Sequence, residues 1–407
     1  MSANRVIHVS YQDPAHLYGG QGVTVLNFCM TQVAMGFETV WISPCIKDEE
    51  PGEFYHLDGK LRVHKIKFSD EMILTLFSHD EAGQRNRERF GDEFVKLIKA
   101  TYSPESCYIH LHGFIEVPRR AGELRNAGYN CTSTYHMFLS PRIDNTNEDE
   151  PFVNRLREIE YESISNNSKV IVNSLSMQRE AEQLCPDFQG ALHMIPNGID
   201  NIHFDMPRFP SDETPLITTY GRISPEKGFE IVLQAARMIT DQRRSAGHLP
   251  PNFLVFGKTD ETIAARRKYV EQLHDLAADY DNITLDLRPE GIWGEERIRL
   301  LDRSTIGIMP SRYEPFGLVV VEYMARGIPV ISTLTHGAKD IFETEGAGET
   351  PCGIVVDTEP EPMAAAINTL LDDAAKRQSL AANGEAKASR LYKLSHITER
   401  VVDLYRS

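Results

Sequence analysis

The chemistry-bearing residues of this 407-residue chain gather at turns marked by glycine. The densest is Glu314-Pro315-Phe316-Gly317-Leu318, with a second carboxylate, Glu322, eight residues after the first. It follows a strand-like run, 306–309, and leads into a helical segment. Gly317 lets a ligand approach the backbone closely, and a helix starting near Leu318 leaves its first amides unpaired. Those amides and the helix dipole suit a diphosphate. Glu322, about one turn into the helix, has the reach to accept both hydroxyls of a ribose. Spacing alone fits equally well a Pro-Phe-Gly turn that merely starts a helix.

Three further clusters share this character. Tyr220-Gly221-Arg222-Ile223-Ser224-Pro225-Glu226-Lys227-Gly228 puts Arg222 and Lys227 in one strand-to-helix loop, where two cations can neutralise a pyrophosphate. The plain reading is a solvated loop whose Lys pairs with Glu226. Tyr18-Gly19-Gly20-Gln21-Gly22 follows the first strand-like run and can approach a phosphate. It lacks full G-x-G-x-x-G spacing, so a flexible entry loop fits as well as a nicotinamide fingerprint. Histidines stand near strand ends: His110, His112 and His136. Sites of α/β proteins form at such ends, although a single histidine there is more often structural. A zinc reading of His110 and His112 lacks a third ligand.

The elements that must position these residues alternate. Short apolar runs at 6–9, 39–42, 107–111, 131–135 and 170–172 read as buried parallel strands. Segments 23–35, 92–101 and 155–165 read as the helices between them. The pattern restarts after residue 204, with strands at 216–220, 252–256, 283–287, 306–309 and 329–332. The expected fold is α/β with two Rossmann-like doubly wound domains. Boundaries are drawn at 1–203, 204–388 and 389–407, the last a helix packing back toward the N-terminal domain. The Pro-rich stretch 204–215 reads as the linker.

Composition bounds the function. Hydrophobic residues make up 41% and charged residues 25%, as a packed globular chain requires. The formal net charge of −16 argues against nucleic acid or an anionic lipid surface as a general partner. A local Arg/Lys pair can still hold a phosphate. Cys29, Cys45, Cys107, Cys131, Cys185 and Cys352 form no C-x-x-C pair, so neither a zinc ribbon nor a redox motif is expected. A reducing, cytoplasmic setting is the simpler reading. No signal peptide precedes the strand-like run at 5–10, and no apolar run reaches the ~18 residues of a membrane span.

Taken together, the motifs resemble glycosyltransferase family 4, retaining enzymes with the GT-B fold, two Rossmann-like domains facing across a cleft. The matches fall in family order: Gly19-Gly20-Gln21-Gly22, His136, Arg157-Glu158-Ile159-Glu160, Pro196-Asn197-Gly198-Ile199-Asp200 with Phe204, Gly221-Arg222 with Glu226-Lys227-Gly228, and Glu314 through Pro329. They cover about residues 5–370. The resemblance implies roles. Glu314 would hold donor-sugar hydroxyls and Glu322 the ribose. Amides at Phe316, Gly317 and Leu318 would contact sugar and phosphate. Arg222 and Lys227 would bind the β-phosphate, and Gly20, with Gly19, would approach it on cleft closure. His136 would contact the donor sugar. Arg157, and His112 among the strand-end histidines, are the acceptor-side candidates.

The implied reaction is transfer of a hexosyl group from a nucleotide diphosphate sugar, UDP being the commonest carrier, to an acceptor hydroxyl by front-face attack. No motif supplies the carboxylate nucleophile of a double displacement. Neither a metal nor another cofactor is expected, because Arg222, Lys227 and the helix terminus supply positive potential. Two features depart from the pattern. Leu17-Tyr18 stands where bacterial glycogen and starch synthases carry a Lys. His336-Gly337-Ala338-Lys339-Asp340 stands where many members carry Gly-Gly-x-x-Glu. The alternatives are a phosphorylase or epimerase on the same fold, or an inactive nucleotide-sugar-binding protein. Loops 43–58 and 141–151 are read as the acceptor surface. The acidic second loop favours a neutral or cationic acceptor.

Overall fold

The computed structural model describes residues 3–14, 17, 20–45, 49–67, 81–113, 115–140, 150–210, 213–260, 264–343 and 351–407. They divide into two units, 1–198 with 394–407, and 199–393.

The first unit is built on an eight-stranded sheet: β1 (Arg5–Val9), β2 (Glu38–Pro44), β3 (Gly52–His56), β4 (Leu61–Ile66), β5 (Tyr108–Gly113), β6 (Asn130–Tyr135), β7 (Lys169–Val172) and β8 (Ala191–Met194). The spatial order is β3-β4-β2-β1-β5-β6-β7-β8. Every pairing is parallel except β3 with β4. Helices cover both faces of such a sheet, so central strands are apolar throughout instead of alternating. Val6, Ile7 and Val9 of β1 and Val40, Trp41 and Ile42 of β2 are wholly buried. The chain winds from β1 outward through β2 in one direction and from β5 outward in the other. Loops leaving the carboxyl ends of β1 and β5 therefore diverge and open a crevice.

The C-terminal helix, Leu394–Arg406, belongs to this unit. Its apolar face, Ile397, Val401, Val402, Leu404 and Tyr405, packs with Val6, Phe28, Tyr108 and Ile171. Two side chains satisfy carbonyls of its last turn that helix geometry leaves open. Lys169 Nζ donates to Leu404 O at 2.9 Å and Asn130 Nδ2 to Tyr405 O at 2.7 Å.

The second unit is a six-stranded, wholly parallel sheet: β9 (Leu216–Arg222), β10 (Asn252–Lys258), β11 (Ile283–Arg288), β12 (Ile306–Met309), β13 (Val330–Thr333) and β14 (Ile354–Val356). Its order is β11-β10-β9-β12-β13-β14, so the winding reverses between β9 and β12.

Two readings of the sequence change. Stretch 204–215 is not a free linker where it is described. It lies inside the second unit, where Asp302 accepts from Phe209 N at 2.9 Å, Arg208 Nη2 donates to Ala325 O at 3.1 Å, and Arg326 holds the start of the stretch. The Arg326 guanidinium donates to the carbonyls of His203, Met206 and Pro207 at 3.0, 2.9 and 3.1 Å. Its charge is met by Asp302, which is as deeply buried. Prolines lack amides, so much of this hold runs through carbonyls to a residue far along the chain. Segment 43–58 is not all loop. It ends β2 and contains β3, an exposed antiparallel edge strand whose residues show no buried run to read. The units divide at 198/199 and 393/394. Ile199 N donates to Tyr392 O at 2.9 Å, and Ile199 bridges Lys393, which ties both edges of the second unit together.

Truncating Ile397, 1% exposed, should cost about 2–5 kcal/mol by removing methyl groups and leaving a cavity. The urea midpoint of Ile397→Ala checks this, and an unchanged midpoint would contradict the packing of the last helix.

Candidate functional site

The reversal point of the second sheet brings two loops together. One follows β9, whose last residue is Arg222, and carries Glu226 and Lys227; the other follows β12 and carries Arg312 and Glu314. Gly228 has φ +66°, and a Cβ there would sit 2.2 Å from Pro310 O. Only glycine allows the loops to approach this closely. Arg312 N donates to Glu226 O at 2.9 Å, and Arg312 Nη1 to Pro225 O at 2.9 Å. Three ion pairs join the charges. Lys227 Nζ lies 2.5 Å from Glu314 Oε2, Arg222 Nη2 lies 2.7 Å from Glu226 Oε1, and Arg312 Nη2 lies 2.5 Å from Glu230 Oε1. Burial pushes the Glu226 carboxyl up, but Arg222 outweighs it with the help of backbone and Ser224 donors and holds it below the usual range.

The β12 loop ends in an uncapped helix start, an arrangement that can meet an anion. Gly317, at φ +107°, precedes the Leu318–Ala325 helix, and no side chain caps it. The first helical amides to find carbonyls are those of Val320 and Val321, both on Gly317 O. Phe316 is buried, edge-on to Tyr392 with ring centroids 5.9 Å apart, which fixes the turn from behind. Leu318 is half-buried. Sequence reading missed what holds this turn from the side. Gly337 N donates to Glu314 O at 3.0 Å, and a Cβ on Gly337 would fall 2.1 Å from Phe316 O. The single glycine of the His336–Glu343 helix is thus a contact the Glu314 turn requires.

Glu322 points into the unit and is 5% exposed. It accepts a very short hydrogen bond from the Tyr220 hydroxyl, and Arg297 Nη2 lies 3.3 Å from its other oxygen. Burial first, and then Glu322, keep Tyr220 well above the usual tyrosine range, so it donates. Nothing in the sequence pointed to Arg297, because it comes from a separate helix, Gly294–Asp302.

In the first unit, Gly20 is the exposed first residue of the Gly20–Ala34 helix. Gly19 and residues 141–149 lie outside the described residues. Arg157 is exposed on the Glu150–Ser165 helix and donates to Asn154 Oδ1 at 3.1 Å. Its neighbour Glu160 is fully buried, accepting from Leu139 N and Ser140 Oγ, both at 2.5 Å. His112 is fully buried and His136 is 8% exposed. The ligand missing from the zinc reading is present in space. His8, His110 and His112 bring ring nitrogens within 4.8 Å of one another. All six of their nitrogens are already hydrogen-bonded, to Gln32, Thr134, Tyr405, His136 or each other. A cation there would have to break those bonds.

Comparisons with known proteins identify the class. The protein has the GT-B fold. It superposes on sucrose-phosphate synthase from Thermosynechococcus elongatus with a TM-score of 0.79 at 22% identity, over 99% of this chain and 98% of that one. It superposes on Anabaena Alr3699/HepE, solved in complex with UDP and glucose, with a TM-score of 0.66 at 16% identity, over 99% of both chains. Residues 202–387 match the family model for glycosyl transferases group 1, so Arg222, Lys227, Glu314 and Glu322 lie within the match. The chain is 29% identical to alpha-D-kanosaminyltransferase of Streptomyces kanamyceticus over 201 residues, 49% of this chain and 47% of that enzyme. Matches to three such curated relatives span between 42% and 62% of their lengths. The similarity is to glycosyltransferases. Among the described residues no helix is long and apolar enough to cross a membrane.

Burial lowers the histidines of the first unit: His8 to about 4 against the opposing Gln32 contact, His136 to about 3, and His110 and His112 well below the usual value. These values lie below that of an unfolded chain. The stability tied to neutral rings is therefore complete above pH ~6.5 and is lost as pH falls through that value toward 4. His203, lowered by burial to about 4, adds to the effect, and Glu160, raised by burial to about 7, opposes it. Unfolding between pH 5 and 6 should take up protons net, read as a positive slope of unfolding free energy against pH. A slope near zero would contradict the neutral cluster.

Proposed function

We propose that the protein is a retaining glycosyltransferase. It moves a hexosyl group from a nucleotide diphosphate sugar, UDP-linked, to an acceptor hydroxyl by front-face attack. The observation that carries this reading is the Lys227–Glu314 pair beside the uncapped start of the Leu318–Ala325 helix. A diphosphate replaces Glu314 as partner of Lys227, with Arg222 and the amides of Phe316, Gly317 and Leu318 meeting its other oxygens. Glu314, released from the lysine, accepts from sugar hydroxyls. Glu322 takes the ribose, in exchange for its contacts with Tyr220 and Arg297. The group 1 match over 202–387 supports the donor class, and the UDP and glucose seen in the Anabaena relative support the carrier.

In the reaction the acceptor oxygen bonds to the anomeric carbon on the face from which the phosphate oxygen departs. The bond to that oxygen breaks, and the acceptor proton passes to the leaving diphosphate. Positioning and charge stabilisation supply the rate, and Arg222, Lys227 and the helix terminus carry the charge without a metal. His136 contacts the donor sugar, and Gly19 and Gly20 approach the phosphate. Arg157 and His112 serve the acceptor side. Six unpaired cysteines support a reducing, cytoplasmic setting.

Product formation with UDP, GDP, ADP and TDP sugars should appear with the UDP sugars. Lys227→Ala and Glu314→Ala should each lower turnover by at least roughly 100-fold while circular dichroism stays that of the wild type. Near-normal rates in both would overturn the assignment.

A further inference from the structure

β1 and β5 lie side by side at the reversal of the first sheet, in a register that sets His8 beside His110. His112, two residues further along β5, shares their face. A hydrogen-bonded line crosses that face from Gln32, on the Gly20–Ala34 helix. Gln32 Nε2 donates to the Tyr405 hydroxyl at 3.2 Å. That hydroxyl spends its own proton on His110 Nδ1 at 2.5 Å, and His110 Nε2 donates to Thr134 Oγ1 at 2.7 Å. With its nitrogen so engaged, Gln32 leaves Oε1 to accept from His8 Nε2 at 2.7 Å. His8 Nδ1 then accepts from His112 Nε2 at 2.8 Å, and His112 Nδ1 accepts from His136 Nε2 at 3.3 Å.

A neutral imidazole has one donor and one acceptor, and the partner of one nitrogen decides which is which. One amide orientation therefore sets three rings in turn. Burial keeps all four histidines of the cluster neutral at physiological pH. His8, His110 and His112 have no exposed surface, whereas His136 retains some. Among the described residues no hydrogen bond reaches His136 Nδ1.

We propose that Gln32 is a positioning residue for His136. Acting through His8 and His112, it holds His136 in the Nε2–H form and leaves Nδ1 as a hydrogen-bond acceptor for a ligand hydroxyl. That the hydroxyl belongs to a sugar rests on the transferase reading; the tautomer does not. Turning the amide over inverts every ring of the line. His136 Nδ1 then becomes a donor, suited to a carbonyl or phosphate oxygen instead. Tyr405 opposes that inversion, because its hydroxyl accepts from the amide nitrogen while donating to His110. The last helix of the chain thereby bears on the chemistry of a residue after β6.

The test is long-range proton–nitrogen NMR of the full chain labelled with 15N-histidine at pH 7.5. His136 resonances are assigned by their loss in His136→Gln. The expected result is Nε2–H at His8, His112 and His136 in the wild type. In Gln32→Met, His136 should become a mixture of tautomers, and in Gln32→Glu, which keeps an acceptor toward His8, the Nε2–H form should return. Tyr405→Phe, which frees the amide to turn, gives the mixture should Gln32→Met not fold. Nδ1–H at His136 in the wild type, or an unchanged His136 in whichever of Gln32→Met and Tyr405→Phe folds, would overturn the relay. Sugar-transfer assays on the same samples report separately on the transferase reading.

Discussion

The arrangement depends on one topological constraint: β9 and β12 are parallel neighbours from which the chain winds in opposite directions. Their following loops cannot be covered by a crossover between them, so they meet over an open crevice at the carboxyl ends of the strands. The end of β9 and its loop bring two cations, and the loop after β12 brings a carboxylate and a helix terminus. Gly228 lets the loops touch, and Gly337 fixes the second from its far side. The same reversal recurs at β1 and β5 in the first unit, and there it places histidines instead of a basic pair.

Without ligand, the crevice of the second unit satisfies itself. Lys227 is held by Glu314 and Arg222 by Glu226, in pairs that are partly solvated. Both pairs keep some contact with solvent, and on the proposed function a diphosphate would take the place of Glu314 and Glu226 beside these cations. On that reading the carboxylates are stand-ins that keep the cations oriented. The pair in the interior behaves differently. Arg326 and Asp302 are almost without exposed surface, and Arg326 also binds three carbonyls. Removing either partner would strand a buried charge, so this pair secures the 203–207 segment permanently.

Much of this was legible in the sequence, for reasons that also explain the exceptions. Strands buried on both faces leave apolar runs, as 6–9 and 306–309 do, and so both sheets could be read in outline. β3 is an exposed edge and leaves none. The 204–215 stretch has linker composition, and its anchor, Arg326, is too distant in sequence to be connected with it. Gly317 and the carboxylates around it are local, so their chemistry could be read from spacing. The partners that orient them are not local: Arg297 on Glu322, Gly337 on Glu314, and Glu230 on Arg312. His8 looked like an ordinary strand residue. Its part in the histidine line depends on the register of β1 against β5, which no single sequence displays.

The claim that the β9–β12 crevice is a diphosphate site is tested most directly by calorimetric titration of the full chain with UDP. The account predicts a single site. Lys227→Ala should weaken binding at least about tenfold, about 1.4 kcal/mol, by removing a charge-assisted contact to phosphate. Glu314→Ala should leave affinity unchanged or raise it, because it frees the lysine from its stand-in partner. Equal affinity in the wild type and Lys227→Ala, or a loss in Glu314→Ala as large as that in Lys227→Ala, would contradict the account.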